Sequence, residues 1–551
     1  MNVLYTKYQS SDNLKLLRMI AVIIVTVVLM VIGIRKEFIV PNVIALPVWL
    51  IGAMLVIVVG LLEIYKQLDI AKLYPIIAIT LGLFFIFLIP AYETPDEQDH
   101  FGSAYNISNT WLGLERPNDF SFYMRQTDAV IERVDLDNPA DEACYHKVID
   151  NLRFVNEWEE TEILVINKIT NAGFVTYMLP AIGITVARLL HLGFGWEYVL
   201  GALLNMILYI ALTTYALHVM PIGKRILFVV SLLPITLQQV SSFSYDCALM
   251  ACTMVVVAIS FKWRQWLRDR GTGPLSQNEN DIEKSATRNP SPCRVKKLSP
   301  YLVRHIVIDS VLLIFSAIVF ASIKSGVFLV VLLLPLALCI RKSWFTGRYK
   351  LWTIGATVLI VVAIAVYMFF FGGIFRIALF LTTVPSDIRE ISGQSGIAPI
   401  EYITHPKKFF DIVFNSIREN LFHRIAQIGG TALGYLRIFI HRVIFGGNLL
   451  ILLVSMIRYN KETDEYKVGN RILSFIIGII PIVITLLAML LFWTLPTDEY
   501  IKGFQGRYIL PTLAILMLSV GRWKKITIPN IDNLFAMGMT ITGYATCLDI
   551  L

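Results

Sequence analysis

The chain has 551 residues, of which 56% are hydrophobic and only 16% charged, against roughly a quarter charged in an ordinary soluble domain. Mean hydropathy is +0.66. Repeated apolar runs long enough to span a bilayer exclude a soluble enzyme, a disordered chain and a secreted disulfide scaffold. The net charge of +8 would suit nucleic acid, but it is sorted by segment rather than spread over one face, so no nucleic-acid partner is expected.

Apolar runs fall at 16–34, 46–65, 73–91, 198–219, 225–240, 245–263, 302–322, 326–341, 351–372, 442–458, 472–493, 507–521 and 531–549. They predict an all-α, polytopic transmembrane helical bundle of about 13 spans, with the first span uncleaved. Lys7, Lys15 and Arg18 ahead of the first run place the N-terminus in the cytoplasm. Residues 92–170 carry 17 of the 40 Asp and Glu but 6 Lys and Arg, whereas 264–304 carry 9 Lys and Arg against 4 acids. The positive-inside rule puts the first segment outside and the second inside.

One apolar stretch, 171–190, decides the topology. If it crossed, the basic segment 264–304 would lie outside. If it lies at the outer interface, Lys224–Arg225, 264–304, Arg341–Lys350, Arg458–Arg471 and Arg522–Lys525 all become cytoplasmic, and the C-terminus is external. The expected organisation is two extra N-terminal spans (1–72), a main membrane domain (73–521) and a last span (522–551). External loops cover 92–197 and 373–441, and a Gly- and Pro-containing cytoplasmic linker covers 264–301. Within the second loop, Phe410, Phe414, Ile417, Leu421, Ile425 and Ile428 recur at helical spacing, with charged residues between them. That pattern predicts an amphipathic interfacial helix after Pro406.

The six cysteines are scattered, without metal spacing or a disulfide framework. The densest polar cluster is Glu93-Thr94-Pro95-Asp96-Glu97-Gln98-Asp99-His100, directly after the third run. Carboxylates beside a His at a membrane face can take a proton from a hydroxyl or hold a divalent cation; the plainer role is a solvated acidic loop. Asp246, in Ser244-Tyr245-Asp246, opens an apolar helix and is either an N-cap or a site residue, while Ser244 is the better cap. Lys324 interrupts two apolar runs, where a charge is costly and marks function by default; otherwise it snorkels to the headgroups. Gln505 and Arg507 lie in KGFQGRY, whose Gly503 and Gly506 permit close backbone approach, and Arg507 offers a planar fork suited to phosphate. The loop charges place all of these on one face. Carboxylates plus separated cations there suit a reaction with a phosphate leaving group.

FLIPAYETPDEQDHFGSAYNIS resembles the opening loop of a bacterial membrane-protein family, domain of unknown function 2142, which carries Pro-Asp-Glu-x-x-His after a span. FVTYMLPAIGITVARLLHLG, LLPITLQQVSSFSYDCALMA, ASIKSGVFLVVLLLP and GFQGRYILPTLAIL are similar to further stretches of it, from about residue 73 to 521. Two extra spans precede the matching part, and GALLNM stands where the family often has an Arg. The family is similar in layout to membrane glycosyltransferases of the GT-C fold. The resemblance implies an inverting transferase in the bacterial cytoplasmic membrane. Its donor would be a polyprenyl-phosphate sugar, and its acceptor a cell-surface glycan, a teichoic-acid-like polymer or a lipid-linked saccharide. It implies Asp96 as general base, with Glu97 as its neighbour or a metal ligand and His100 orienting the cluster. Asp99, Tyr177, Asp246, Lys324, Gln505 and Arg507 would contact substrate, the last cation pair at the donor phosphate. A divalent cation, Mg or Mn, stays open, and membrane lipids are the surrounding partner. The rival readings are a transporter or flippase of lipid-linked saccharides, a polymerase using diphosphate donors, and a scaffold.

Overall fold

The structure, a computed structural model, describes residues 2–34, 39–114, 121–128, 142–155, 162–166, 170, 172–271, 300–339, 350–370, 399–459, 466–521, 525–526 and 531–551. Most of the linker and the start of the second external segment therefore lie outside the described residues. Apolar side chains without polar neighbours leave the backbone to satisfy its own hydrogen bonds, which a helix does. Among the described residues each of the thirteen apolar runs is mainly helical, one of them beginning as 3-10 helix. In chain order the helices are α1 (Asn2–Ile34), α2 (Asn42–Leu61), α3 (Ile70–Leu88), α4 (Glu97–Trp111), α5 (Glu142–Ile149), α6 (Met178–Leu189), α7 (Phe194–Val219), α8 (Lys224–Leu232), α9 (Pro234–Val240) and α10 (Asp246–Gly271). Then come α11 (Pro300–Ser322), a 3-10 stretch Lys324–Leu333 running into α12 (Leu334–Cys339), α13 (Lys350–Phe370), α14 (Pro399–Thr404) and α15 (Pro406–Ile428). The last four are α16 (Arg442–Ser455), α17 (Val468–Phe492), α18 (Leu510–Val520) and α19 (Ile531–Ile550). Short two-stranded pairings are the only sheet among the described residues; Ser121–Arg125 pairs antiparallel with Glu162–Ile166.

Seven of these helices are long and apolar enough to cross a membrane by length and composition. The other predicted spans comprise α13 and α19, of 21 and 20 residues, and helices that are shorter or broken. The run 225–240 is split into α8 and α9 at Leu233, which is extended because Pro234 follows it. Isolated in lipid, such a break would strand backbone groups, but both halves are buried among other helices. The protein is an all-α, multi-pass membrane protein.

Contacts between helix ends sort the bundle into two poles. At one, Lys224 pairs with Asp69 at 2.9 Å, Arg225 with Asp532 at 2.5 Å, and the Arg471 side chain donates to the Ser519 carbonyl at 2.7 Å. At the other, Asp96 pairs with Arg507, Asp246 with Lys324, and the Ile39 amide donates to the Leu551 carbonyl. Asp69 precedes α3 and Lys224 follows α7, so these two helices run in opposite directions. The start of α7 lies at the second pole, where the Phe194 ring meets Tyr92 at 5.9 Å. Segment 171–190 therefore begins and ends at one pole. Its helix α6 has 12 residues, about 18 Å of rise, well short of the ~30 Å hydrocarbon core. It lies against α7 and α4. A Cβ on Gly183 would stand 2.6 Å from the Gly201 amide nitrogen, so glycine permits the close crossing.

In α15 the apolar stripe lies open: Phe410 is 65% exposed, Phe414 63% and Ile417 52%. Ile412 is buried beside Tyr402, Leu490 and Ile501, and the C-terminal turn is buried against the segment that opens α18. The stripe is the face that the sequence pattern assigns to the membrane interface.

The two poles make the topology testable. Single cysteines replace Thr110 and Thr497 at the pole of Asp96, and Lys72 and Gly469 at the other, in a chain lacking its six native cysteines. An impermeant thiol reagent on intact cells is expected to label only the first two. Labelling at 72 or 469 without permeabilisation would invert the orientation.

Candidate functional site

The site begins where α3 ends. The chain leaves through Ile89 and Pro90 and turns twice through left-handed backbone, at Tyr92 (φ 69°) and Asp96 (φ 64°). A non-glycine residue holds that conformation only when its surroundings compensate, and Glu97 supplies the compensation. Its buried carboxylate accepts the amides of Tyr92 (3.1 Å) and Thr94 (3.3 Å) in its own loop. It also accepts the Tyr198 hydroxyl (3.0 Å) from α7 and the Phe243 amide (3.3 Å) from the α9–α10 turn. One side chain thus ties the loop to two other elements. The structure turns Glu97 inward, although it is adjacent to Asp96 in sequence.

Asp96 points the other way. Its Oδ2 lies 2.5 Å from Nη2 of Arg507, and Arg507 Nη1 donates to the Pro95 carbonyl at 3.1 Å. The Asp96 side chain is half exposed at 50%, whereas that of Arg507 is 4% exposed. One turn further along α4, the buried His100 places Nδ1 2.6 Å from the Tyr177 hydroxyl, which also meets the Thr170 hydroxyl at 2.8 Å. The edge of the Tyr245 ring stands 4.6 Å from the His100 ring.

The second cation comes from the α11–α12 connection. Lys324, Ser325 and Gly326 are all left-handed, with φ of 46°, 57° and 74°. At Gly326 a Cβ would stand 2.8 Å from the Tyr367 ring, so glycine is required twice over. The turn brings Lys324 Nζ to 2.8 Å from Asp246 Oδ1, with 16% and 4% of the side chains exposed. The ammonium also lies 4.8 Å from the Tyr508 ring centre and 5.4 Å from that of Tyr245. Tyr508 follows Arg507, and its hydroxyl accepts from Nη2 at 3.3 Å. Lys324 and Arg507, 183 positions apart by their numbers, thus flank one tyrosine. Ser244 is the cap: its hydroxyl accepts the Asp246 amide at 3.2 Å, leaving the Asp246 carboxylate to Lys324.

Asp99 is part-buried on α4, where its carbonyl accepts the Ser103 hydroxyl at 2.8 Å. Gln505 is extended and lines a narrow cleft beside Arg507 with Pro95, Gln238, Gln239, Gln427 and Gly434. The structure therefore brings together Asp96, His100, Tyr177, Asp246, Lys324 and Arg507. It sets Glu97 behind them as an anchor. Sequence reasoning missed Tyr245, Tyr508 and the three glutamines at 238, 239 and 427. The pair Gln238-Gln239 inside an apolar run was the available signal, since amides there require partners. Among the described residues no group of three or more His, Cys, Asp or Glu is gathered to hold a metal ion. The carboxylates of Asp96, Glu97 and Asp246 are already engaged as described.

With that geometry in view, the comparisons are specific on one point. Residues 79–273 and 299–516 match the family described as "Predicted membrane protein (DUF2142)", about three quarters of the chain. The chain belongs to that family. No curated protein and no solved structure matches it. The matched stretches contain every site residue of this DUF2142 protein and leave α1 and α2 outside.

The electrostatics of the DUF2142 site follow from burial and pairing. Burial alone would raise the Asp96 carboxyl, but the charge and hydrogen bond of Arg507, aided by Lys324, hold it below the ordinary value. Burial pushes Glu97 up to about 7, against the four hydrogen bonds it accepts. Burial drives His100 down to about 4, outweighing the nearby Asp96 and Asp246. His100 is therefore neutral at neutral pH and orients by hydrogen bonding, not by charge.

Glu97→Gln keeps the shape but turns an acceptor into an amide facing donors. It is expected to cost about 1–3 kcal/mol, seen as a lower unfolding midpoint in detergent. The pH dependence has a definite sign. The folded carboxyl titrates near 7 and the unfolded one near 4.5, so the folded state holds the extra proton in between. Its stabilising share is complete below the unfolded value and is lost as pH rises through about 7. The wild-type midpoint should therefore fall more steeply than that of Glu97→Gln between about pH 5 and 8. Parallel curves would assign the titration elsewhere.

Proposed function

We propose that this protein is an inverting glycosyltransferase. It moves a sugar from a polyprenyl-phosphate donor to a cell-surface glycan, a teichoic-acid-like polymer or a lipid-linked saccharide. It works at the outer face of a bacterial cytoplasmic membrane, with the N-terminus inside and the C-terminus outside. The observation that carries the reading is the pair formed by half-exposed Asp96 and buried Arg507, with Lys324 on the same tyrosine. A general base and two phosphate-seeking cations thus share one small region at a helix-bundle end.

The acceptor hydroxyl attacks the anomeric carbon as the carbon–oxygen bond to phosphate breaks. The hydroxyl proton passes to Asp96, and the bonding electrons leave with the polyprenyl phosphate. Arg507 and Lys324 take up that negative charge. A single displacement inverts the anomeric centre. Charge stabilisation falls to these two side chains, with no step assigned to a divalent cation.

In the resting arrangement each cation already has a carboxylate. A base held on a guanidinium is a poor proton acceptor, so the donor phosphate must take its place on Arg507. Exposure decides which partner moves: Arg507 is buried and also held by the Pro95 carbonyl, while Asp96 is half open. Donor binding would thus free the base in the same step that seats the leaving group. The flippase alternative needs charges along a central path. Within the helix bundle the half-buried Lys262 pairs with buried Asp309 at 2.8 Å, but Trp263 and Tyr215 also donate to Asp309. That cluster pins α7, α10 and α11 near the opposite pole.

Two variants test the reading in opposite directions. Asp96→Asn removes the competing carboxylate, so it should bind a polyprenyl phosphate several-fold more tightly than wild type. It should also slow sugar transfer by at least about a hundredfold. Arg507→Lys should weaken binding and recover little, since a point charge cannot form the bidentate fork. Binding can be followed by titration in nanodiscs, and transfer by release of polyprenyl phosphate from radiolabelled donors. Near-wild-type turnover by Asp96→Asn would remove it as the base. Unchanged binding in both variants would return the pair to a structural role.

A further inference from the structure

Two unsatisfied groups remain beside the site. Gln239 is 1% exposed, and its Oε1 has no hydrogen-bond partner among the described residues. Arg507 is 4% exposed, and its Nε also lacks one there, although both Nη atoms are bonded. Buried side-chain atoms in this condition are uncommon and call for a partner. Both residues line the same cleft.

Two other glutamines of that cleft, Gln238 and Gln427, are already spent. Gln238 grips Gly434 like a second strand: its Oε1 accepts the Gly434 amide at 3.0 Å and its Nε2 donates to the Gly434 carbonyl at 3.3 Å. Gln427 Oε1 accepts the Gly506 amide at 2.7 Å, and its Nε2 meets His423 at 3.1 Å. These two amides build walls. Gln239 keeps its acceptor and Arg507 its donor.

We propose that this cleft reads one hydroxyl group of the transferred sugar, with Gln239 as a specificity-determining residue. The proposal rests on the glycosyltransferase reading and names a subsite within it. One free acceptor and one free donor match a hydroxyl, which donates through its hydrogen and accepts through its oxygen. Apart from Arg507 the lining carries no formal charge, so a neutral group suits it. The anionic phosphate belongs on the other edge of the guanidinium, where Asp96 sits. Size sets the limit: the cleft holds about 240 Å³ counting its open mouth, and its enclosed part takes a group about the size of one water molecule. A sugar ring does not enter, but one protruding hydroxyl does. In the absence of ligand, water would serve both groups, and a hydroxyl that reproduces its bonds replaces it without loss.

The test uses the full-length protein in nanodiscs. Bare polyprenyl phosphate and a panel of polyprenyl-phosphate hexoses and pentoses are titrated first. The tightest sugar lipid is then compared with its monodeoxy forms. In wild type, one deoxy position is expected to weaken binding about tenfold. In Gln239→Met, that same deoxygenation should change binding less than twofold, with bare polyprenyl phosphate bound as in wild type. Gln239→Glu, which retains an acceptor, should keep the discrimination and decides the matter if Gln239→Met does not fold. Discrimination retained in Gln239→Met overturns the proposal, as does an equal loss for bare and sugar-bearing lipid, which would make Gln239 structural. No preference for any sugar over bare lipid in wild type overturns it while leaving the phosphate site intact. Failure of wild type to bind any of these lipids removes the glycosyltransferase reading itself.

Discussion

Everything at the Asp96 pole hangs on how Glu97 is buried. A carboxylate removed from water with no cation bonded to it is affordable only if donors surround it. Glu97 meets that condition with three backbone amides and one tyrosine hydroxyl. Those donors come from the loop after α3, from α7 and from the α9–α10 turn. Satisfying one carboxylate therefore fixes three elements together. It also sets the direction of Asp96, which precedes Glu97 through a left-handed φ of 64° and faces Arg507 instead. The catalytic candidate is exposed because its neighbour is not.

A second buried network does similar work for the described residues between α4 and α7. Arg125 bonds Asp128 and Glu197, each at 2.7 Å, and the Leu192 carbonyl at 2.9 Å. Tyr105 donates to Asp128 from α4 at 2.9 Å, and Arg188 lies over the Tyr105 ring while donating to Asn109 at 2.7 Å. Breaking one partner out of a buried pair costs about 3–5 kcal/mol. The charges of 92–197 are thus not all solvated surface. Several are internal fastenings between α4, α6 and α7, which hold the Glu97 loop above the bundle.

Hydropathy made the helices legible because a span must be apolar along its whole length, whatever its neighbours. Loop charge gave the alternation that excluded 171–190 as a crossing, and the two poles of the bundle agree with it. Charges in apolar context, Lys324 and Arg507 above all, stood out because such positions are expensive. What the sequence could not carry was pairing. Asp96 and Arg507 lie 411 positions apart, and nothing local says which carboxylate meets which cation. Residue order already favoured Asp96 over Glu97 as the outward carboxylate; the positive φ at Asp96 that turns Glu97 inward was not legible, since no glycine announced it. The glutamines were hidden for a different reason. An amide's role depends on whether its partners are spent, which is a property of the packed structure.

The placement of the cations has a consequence for how the site selects ligands. Exposed charges act over a Debye length and are screened by salt. Arg507 is buried and Lys324 largely covered, and both are already neutralised by Asp96 and Asp246, so from a distance the region is nearly uncharged. A soluble anion gains little by approaching it and must break an ion pair to bind. A phosphate delivered along the membrane, by a lipid whose chains are already embedded, arrives at high local concentration and with little further orientational cost. On the proposed reading, the compensated pairs would favour a lipid-borne phosphate over free phosphate without any steric barrier. In the proposed mechanism that selectivity would come from the same carboxylate that must be set free for the chemistry, so binding and activation would be one exchange of partners on Arg507.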